Sequence, residues 1–201
     1  MSKELVLVLG GARSGKSAFA LKLAQEAGGR VLYVATAQPG DDEMRWRIAR
    51  HRRARPRSWR LLEEPLAVDA ALAPLLDDTD IVLMDCLTIW VSNLLLSALP
   101  GGIVKGPAEA AAAERVVDEA IGALLRSYRN GTASFIVVSN EVGLGLVPEH
   151  PLGRLFRDVL GRANQRVAAR ADKVYLLLAG IAVDVKALET LAQMLYPERF
   201  E

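Results

Sequence analysis

The chain has 201 residues, of which 51% are hydrophobic and 24% charged, with a formal net charge of +1. These values fit one packed domain over residues 1–201 and exclude a disordered chain, and the near-zero charge gives no global attraction to nucleic acid. The lone Cys86 excludes an internal disulfide, no apolar run is long enough to span a bilayer, and no basic region precedes an apolar core at the N-terminus, so a cytoplasmic location without stable membrane insertion is expected.

The first predicted strand is Glu4–Leu9. It runs into GGARSGKS, which fits G-x-x-x-x-G-K-[ST] at Gly10, Gly15, Lys16 and Ser17. A helix-patterned stretch, SAFALKLAQEA, follows at once. In that context Gly10, Gly11, Ala12, Arg13, Ser14 and Gly15 turn backbone N–H groups towards phosphate oxygens. Lys16 reaches the outer phosphates, and the Ser17 hydroxyl holds Mg2+. The positive end of the helix faces the same anions. The stretch therefore predicts a nucleoside triphosphate site.

Arg30–Ala35 (RVLYVA) is the second predicted strand, rich in β-branched and aromatic residues. Gly40 and the acids Asp41, Asp42 and Glu43 start a helix that runs to about Ala54 and stops before Pro56. Trp59–Glu63 is a short strand. Asp80–Asp85 is a buried parallel strand that ends on an acid. Leu87–Leu99 is apolar and helical, and Leu99–Pro107 is a loop. Ala108–Arg129 is a long amphipathic helix closed by Asn130–Gly131. Ser134–Asn140 is a further buried strand, Leu152–Ala171 a helix and Lys173–Ala179 a strand. The tail to Glu201 carries one more short strand and a helix.

Alternating strands and helices predict an α/β fold with a mostly parallel sheet and helices on both faces. Ligands then sit at the carboxyl ends of the strands. Thr36 and Gln38 follow strand two, Asp85 closes DIVLM, and Asn140 with Glu141 follows FIVVS. Asp85 stands where a P-loop protein keeps its second magnesium-coordinating acid. An ordinary helix-capping aspartate is the alternative.

The most unusual stretch is Arg45–Arg60, with eight arginines, no acid and His51. It reads as a nucleic-acid stripe with Trp46 and Trp59 as stacking platforms, as a solvated basic face, or as a polyphosphate clamp facing the P-loop. Met44, Ile48, His51 and Arg55 share one helical face, which turns His51 inward. Cationic neighbours (Arg50, Arg52, Arg53 and Arg55) favour a neutral, nucleophilic imidazole, which can attack a nucleotide's α-phosphorus while arginines offset the developing charge. A packed core histidine is the competing reading. His150, in the proline-flanked PEHPLG, reads as a surface loop residue. Asn164, Gln165 and Arg166 suit a buried polar contact or a subunit interface.

Together, GGARSGKS, YVATAQPGDDEM, RIARHRRARPRSW, MDCLT, SNEVGLGLVPEHPLGRLFRDVLGRANQRVA and the closing AGI resemble the bifunctional adenosylcobinamide kinase / adenosylcobinamide-phosphate guanylyltransferase family of cobalamin biosynthesis. The similarity covers nearly the whole chain to about Lys186 and is weakest over Pro65–Asp80 and Pro100–Pro107. It implies a P-loop NTPase (RecA-like) fold and a homotrimer. It implies phosphorylation of adenosylcobinamide with ATP or GTP, then transfer of GMP from GTP through a guanylyl-histidine to give adenosyl-GDP-cobinamide. His51 takes the histidine's place, with Lys16 as its catalytic partner. Nucleotide contacts map onto Gly10–Ser17, Thr36, Ala37, Gln38, Arg52, Arg53, Ala54, Arg55, Glu63 and Asp85, with Mg2+ at Ser17 and Asp85. A simple P-loop small-molecule kinase, without the transfer step, is the alternative.

Overall fold

The computed structural model describes residues 3–195. Seven strands form one sheet: β1 (Leu5–Gly10), β2 (Val31–Ala35), β3 (Arg60–Glu63), β4 (Ile81–Asp85), β5 (Ser134–Val138), β6 (Lys173–Leu178) and β7 (Ile181–Asp184). Their order is β3-β2-β4-β5-β1-β6-β7. Every pairing is parallel except β6 with β7. Helices are α1 (Lys16–Ala27), α2 (Asp42–Ala54), α3 (Val68–Leu72), α4 (Leu87–Ala98), α5 (Pro107–Asn130), α6 (Pro151–Arg170) and α7 (Val185–Leu195).

The central strands are apolar on both sides because helices cover both faces. Leu5, Leu7, Leu32, Val34, Val82, Met84, Phe135 and Val137 face α4, α5 and α6. Their sequence neighbours Val6, Val8, Val31, Tyr33, Ile81, Leu83, Ile136 and Val138 face Ala20 and Ala24 of α1. A period of two on each strand thus builds two cores around one sheet.

Three segments depart from the sequence reading. β5 ends at Val138, two residues early, because Ser139 and Asn140 turn into a polar network. Pro65–Asp80, where the sequence marked no element, holds α3 and a 3-10 turn at Ala73–Asp78, with Val68, Leu72 and Leu76 buried in the core. The 99–107 loop contains a short 3-10 turn at Pro100–Gly102. The expected tail strand and helix are β7 and α7; residues 196–201 lie outside the described ones.

Helix α2 is different in kind. None of its residues is buried. Asp41 caps it by accepting from the Met44 N–H at 2.7 Å, and Asp42 and Glu43 favour the positive first turn. Only Met44, Ile48 and His51 on the helix, with Arg55 just after it, are partly shielded, the face that periodicity selected. The sheet therefore holds α2 by one thin stripe at its carboxyl edge.

Candidate active site

The phosphate loop leaves β1 at Gly10 and enters α1 at Lys16. Gly10 admits no side chain: a Cβ there would meet Ser14 Oγ at 2.5 Å and the Leu177 carbonyl at 2.8 Å. Gly15 sits at φ +95°, which favours glycine. Gly180, in the β6–β7 turn, donates its N–H to the Ser14 carbonyl at 3.0 Å and buttresses the loop from behind. Ser14 Oγ is buried without a hydrogen-bond partner. Such an orphan within a cradle of glycines fits an anion's oxygen as its missing partner. Lys16 Nζ donates to the Gly11 carbonyl at 3.0 Å. Burial lowers its pKa, against the upward pull of Cys86 and Asp85.

Asp85 links this loop to His51. Its side chain is only 7% exposed. Its Oδ2 lies 3.3 Å from His51 Nδ1 and 3.3 Å from the Tyr33 hydroxyl, which donates to it. The same hydroxyl is 3.4 Å from Nδ1. Burial, then the Asp85 charge, pushes the Tyr33 phenol well up, so it stays a proton donor. The Arg55 guanidinium lies 4.9 Å from the Tyr33 ring centre. The immediate polar neighbours of His51 are thus a carboxylate and a phenol, where the sequence suggested arginines. Three of those arginines have other partners: Arg50 stacks on Trp46, Arg52 bonds Glu63 at 2.6 Å, and Arg55 covers Tyr33.

The remaining expected residues divide. Ala37, Gln38, Arg52 and Glu63 line a cavity of about 360 Å³ with Arg45, Ile48 and Glu64. Thr36 is fully buried and its hydroxyl is committed: it donates to the Cys86 carbonyl at 2.8 Å and accepts from the Cys86 N–H. It ties the ends of β2 and β4 together. Arg53 and Ala54 point to solvent on the outer side of α2. Trp59 packs against the core beside α1, so it and the exposed Trp46 do not form a paired stacking platform. Asn164 is buried: it accepts from Ser139 at 2.7 Å and donates to the Asn140 carbonyl at 3.1 Å, which realises the buried polar contact.

Two residues escaped the sequence reading. Tyr33 looked like core filling in a β-branched strand, yet a buried tyrosine hydroxyl needs a partner, and that was its available signal. Asn93 donates to the carbonyls of Thr36 and Pro65 at 2.8 and 3.1 Å. It stands in an apolar run without any spacing that marks it.

No group of three or more His, Cys, Asp or Glu side chains could hold a metal ion among the described residues. A cation at the Ser17 hydroxyl and the Asp85 carboxylate would take most of its ligands from phosphate and water, which is how magnesium sits on nucleotides. The hard oxygen donors present fit that ion.

The family profile described as cobinamide kinase / cobinamide phosphate guanyltransferase matches residues 6–185. The chain is 44% identical over 182 residues to the bifunctional adenosylcobalamin biosynthesis protein CobU of Salmonella typhimurium, covering 90% of this chain and 99% of that one. It is 41% identical over 184 residues to the Escherichia coli protein of the same name, with the same coverage. It is 44% identical over 180 residues to the bifunctional adenosylcobalamin biosynthesis protein CobP of Pseudomonas aeruginosa, covering 90% of this chain and 96% of that one.

Proposed function

The chain belongs to the cobinamide kinase / cobinamide phosphate guanyltransferase family, and on that premise we propose that one phosphate loop serves both half-reactions, with His51 as the nucleotide carrier. In the first, the amino-alcohol hydroxyl of adenosylcobinamide attacks the γ-phosphorus of ATP or GTP, giving the phosphate ester and the nucleoside diphosphate. In the second, a ring nitrogen of His51 attacks the α-phosphorus of GTP. An N–P bond forms, the bond to the β-phosphate oxygen breaks, and pyrophosphate leaves. The phosphate of adenosylcobinamide phosphate then attacks the same phosphorus, frees the imidazole and yields adenosyl-GDP-cobinamide.

One observation carries this reading. Asp85 contacts His51 on one side and lies within electrostatic reach of Lys16 on the other, so the histidine and the phosphate loop share one site. It also supports a choice of nitrogen. A carboxylate can only accept, so the Nδ1 facing Asp85 carries the hydrogen, and Nε2 keeps the lone pair for attack. Asp85 and Tyr33 fix the ring, as the acid of a catalytic triad fixes its histidine. Lys16 and the loop amides hold the β- and γ-phosphates in both reactions. Magnesium at Ser17 and Asp85 would offset charge on the departing phosphates. The cavity beside Gln38, Arg52 and Glu63 is where the nucleoside fits. A homotrimer is part of this reading through the family resemblance.

The names of the three relatives all specify a bifunctional protein, which favours this over a simple kinase. Incubation with GTP and cobinamide tests it: the products expected are GDP from the kinase step, and GDP-cobinamide with pyrophosphate from the transfer. Accumulation of cobinamide phosphate alone would leave only the kinase.

A further inference from the structure

Helices α4 and α6 reach beyond the carboxyl edge of the sheet. Asn93 pins α4 to the Thr36 carbonyl just past β2, and Asn164 pins α6 to the Asn140 carbonyl just past β5. Below Asn164, α6 descends to Arg170, and Asp172 bonds the Leu5 carbonyl at the start of β1. The thirteen residues of α6 before Asn164 therefore project outward, by about 20 Å at 1.5 Å per residue. Between this projecting part and the end of α4 lies a groove of about 730 Å³. Ser92, Leu95, Leu96, Ile103, Leu152 and Phe156 are among its walls, and no Asp, Glu, Lys or Arg contributes.

We propose that this groove seats the corrin macrocycle of the cobinamide substrate, with its amino-alcohol arm directed down to the phosphate loop. The proposal rests on the function given above. Both half-reactions need the arm's terminal oxygen at the nucleotide, once at the γ-phosphorus and once at the guanylyl group. The macrocycle must then lie on the carboxyl side within an arm's length of the loop. On α6 the lining residue nearest the strand ends is Phe156, about 12 Å of helix from Asn164, and on α4 it is Ser92, next to Asn93. The groove volume lies within the range of about 300–1,000 Å³ typical of small-molecule and cofactor sites, which are mostly apolar with few polar groups. A corrin rim bearing uncharged amides matches walls without charge. The nucleotide-side cavity is half as large and lined by Arg45, Arg52, Glu63 and Glu64, so the two sites divide the substrates by chemistry.

The segment 139–150 joins the two places. The Glu141 N–H bonds the Gly10 carbonyl at 3.2 Å, and at the other end His150 caps α6 and lines the groove. Leu144 and Leu146 on this segment are 87% and 96% exposed. They offer apolar contact along the path from macrocycle to phosphate.

Leu96→Asp and Ile103→Asp test the site, because both side chains are already about half exposed and the fold tolerates charge there. Ser92→Trp fills the groove without charge. Each variant should raise KM for cobinamide, and Kd for dicyanocobinamide read by calorimetry, at least tenfold. KM for GTP and His51 labelling without corrinoid should stay at the wild-type values. Unchanged corrinoid constants in all three variants would overturn the proposal. So would a lower sedimenting mass with GTP constants altered in parallel, which would make the groove a contact with a second copy. Wild-type protein that turns over no cobinamide would instead defeat the function on which the site rests.

Discussion

Tyr33→Phe removes one oxygen from the centre of the site and leaves the ring in place. That oxygen donates to Asp85 at 3.3 Å and lies 3.4 Å from His51 Nδ1. Both distances are long for an O–H donor, so the loss belongs near the lower end of the range for bonds to charged groups, about 1–2 kcal/mol. If that loss falls on the orientation of His51, guanylylation slows roughly 5- to 30-fold, since about 1.4 kcal/mol is a factor of ten. Tm should fall by no more than about 8 °C, at about 2–4 °C per kcal/mol for a chain of this size. Rapid-quench labelling with GTP marked at the α-phosphate reads the first number, and calorimetry reads the second. In the proposed mechanism the kinase step bypasses His51, so it should slow less. A wild-type labelling rate, or equal losses in both half-reactions, would refute the positioning role of Tyr33.

Lys16→Ala should abolish both activities, measured as cobinamide phosphate formation and His51 labelling; retained guanylyl transfer would separate the two nucleotide sites. Gly10→Ala should weaken binding of a fluorescent GTP analogue more than tenfold, because its Cβ collides with Ser14 and the Leu177 carbonyl. Native Cys86 should resist thiol reagents at pH 8 and react after unfolding, since burial and then Asp85 push its pKa up to about 12, leaving about one thiol in ten thousand ionised. Asp80, held down to about 2 from 3.8 by Arg30, contributes stability that is full above about pH 4 and lost as pH falls through about 2. Asp80→Asn should flatten that part of the acid-unfolding curve.

Much of this was readable from residues, for identifiable reasons. The P-loop is a local motif whose neighbours in sequence are its neighbours in space, so its placement between β1 and α1 followed directly. The apolar strands announced a parallel sheet because burial on both faces removes polar alternation. His51 was turned inward by the spacing of Met44, Ile48 and Arg55. Its partners could not be read, because Tyr33 and Asp85 come from two strands paired only in the folded sheet, with Ala35 opposite Asp85. Thr36 shows the opposite failure. It stands at a strand end where ligands are expected, yet the close approach of Cys86 takes its hydroxyl. The α3 region escaped because five residues with two buried apolar side chains make too short a period to register.

Peptide mapping after incubation with GTP and magnesium is the most direct test of His51 as the nucleotide carrier. The expected result is a guanylyl group on the His51 peptide, bonded through Nε2 by phosphorus NMR, acid-labile and alkali-stable, and absent from His51→Ala. A label on another residue, or labelling that survives His51→Ala, would contradict it.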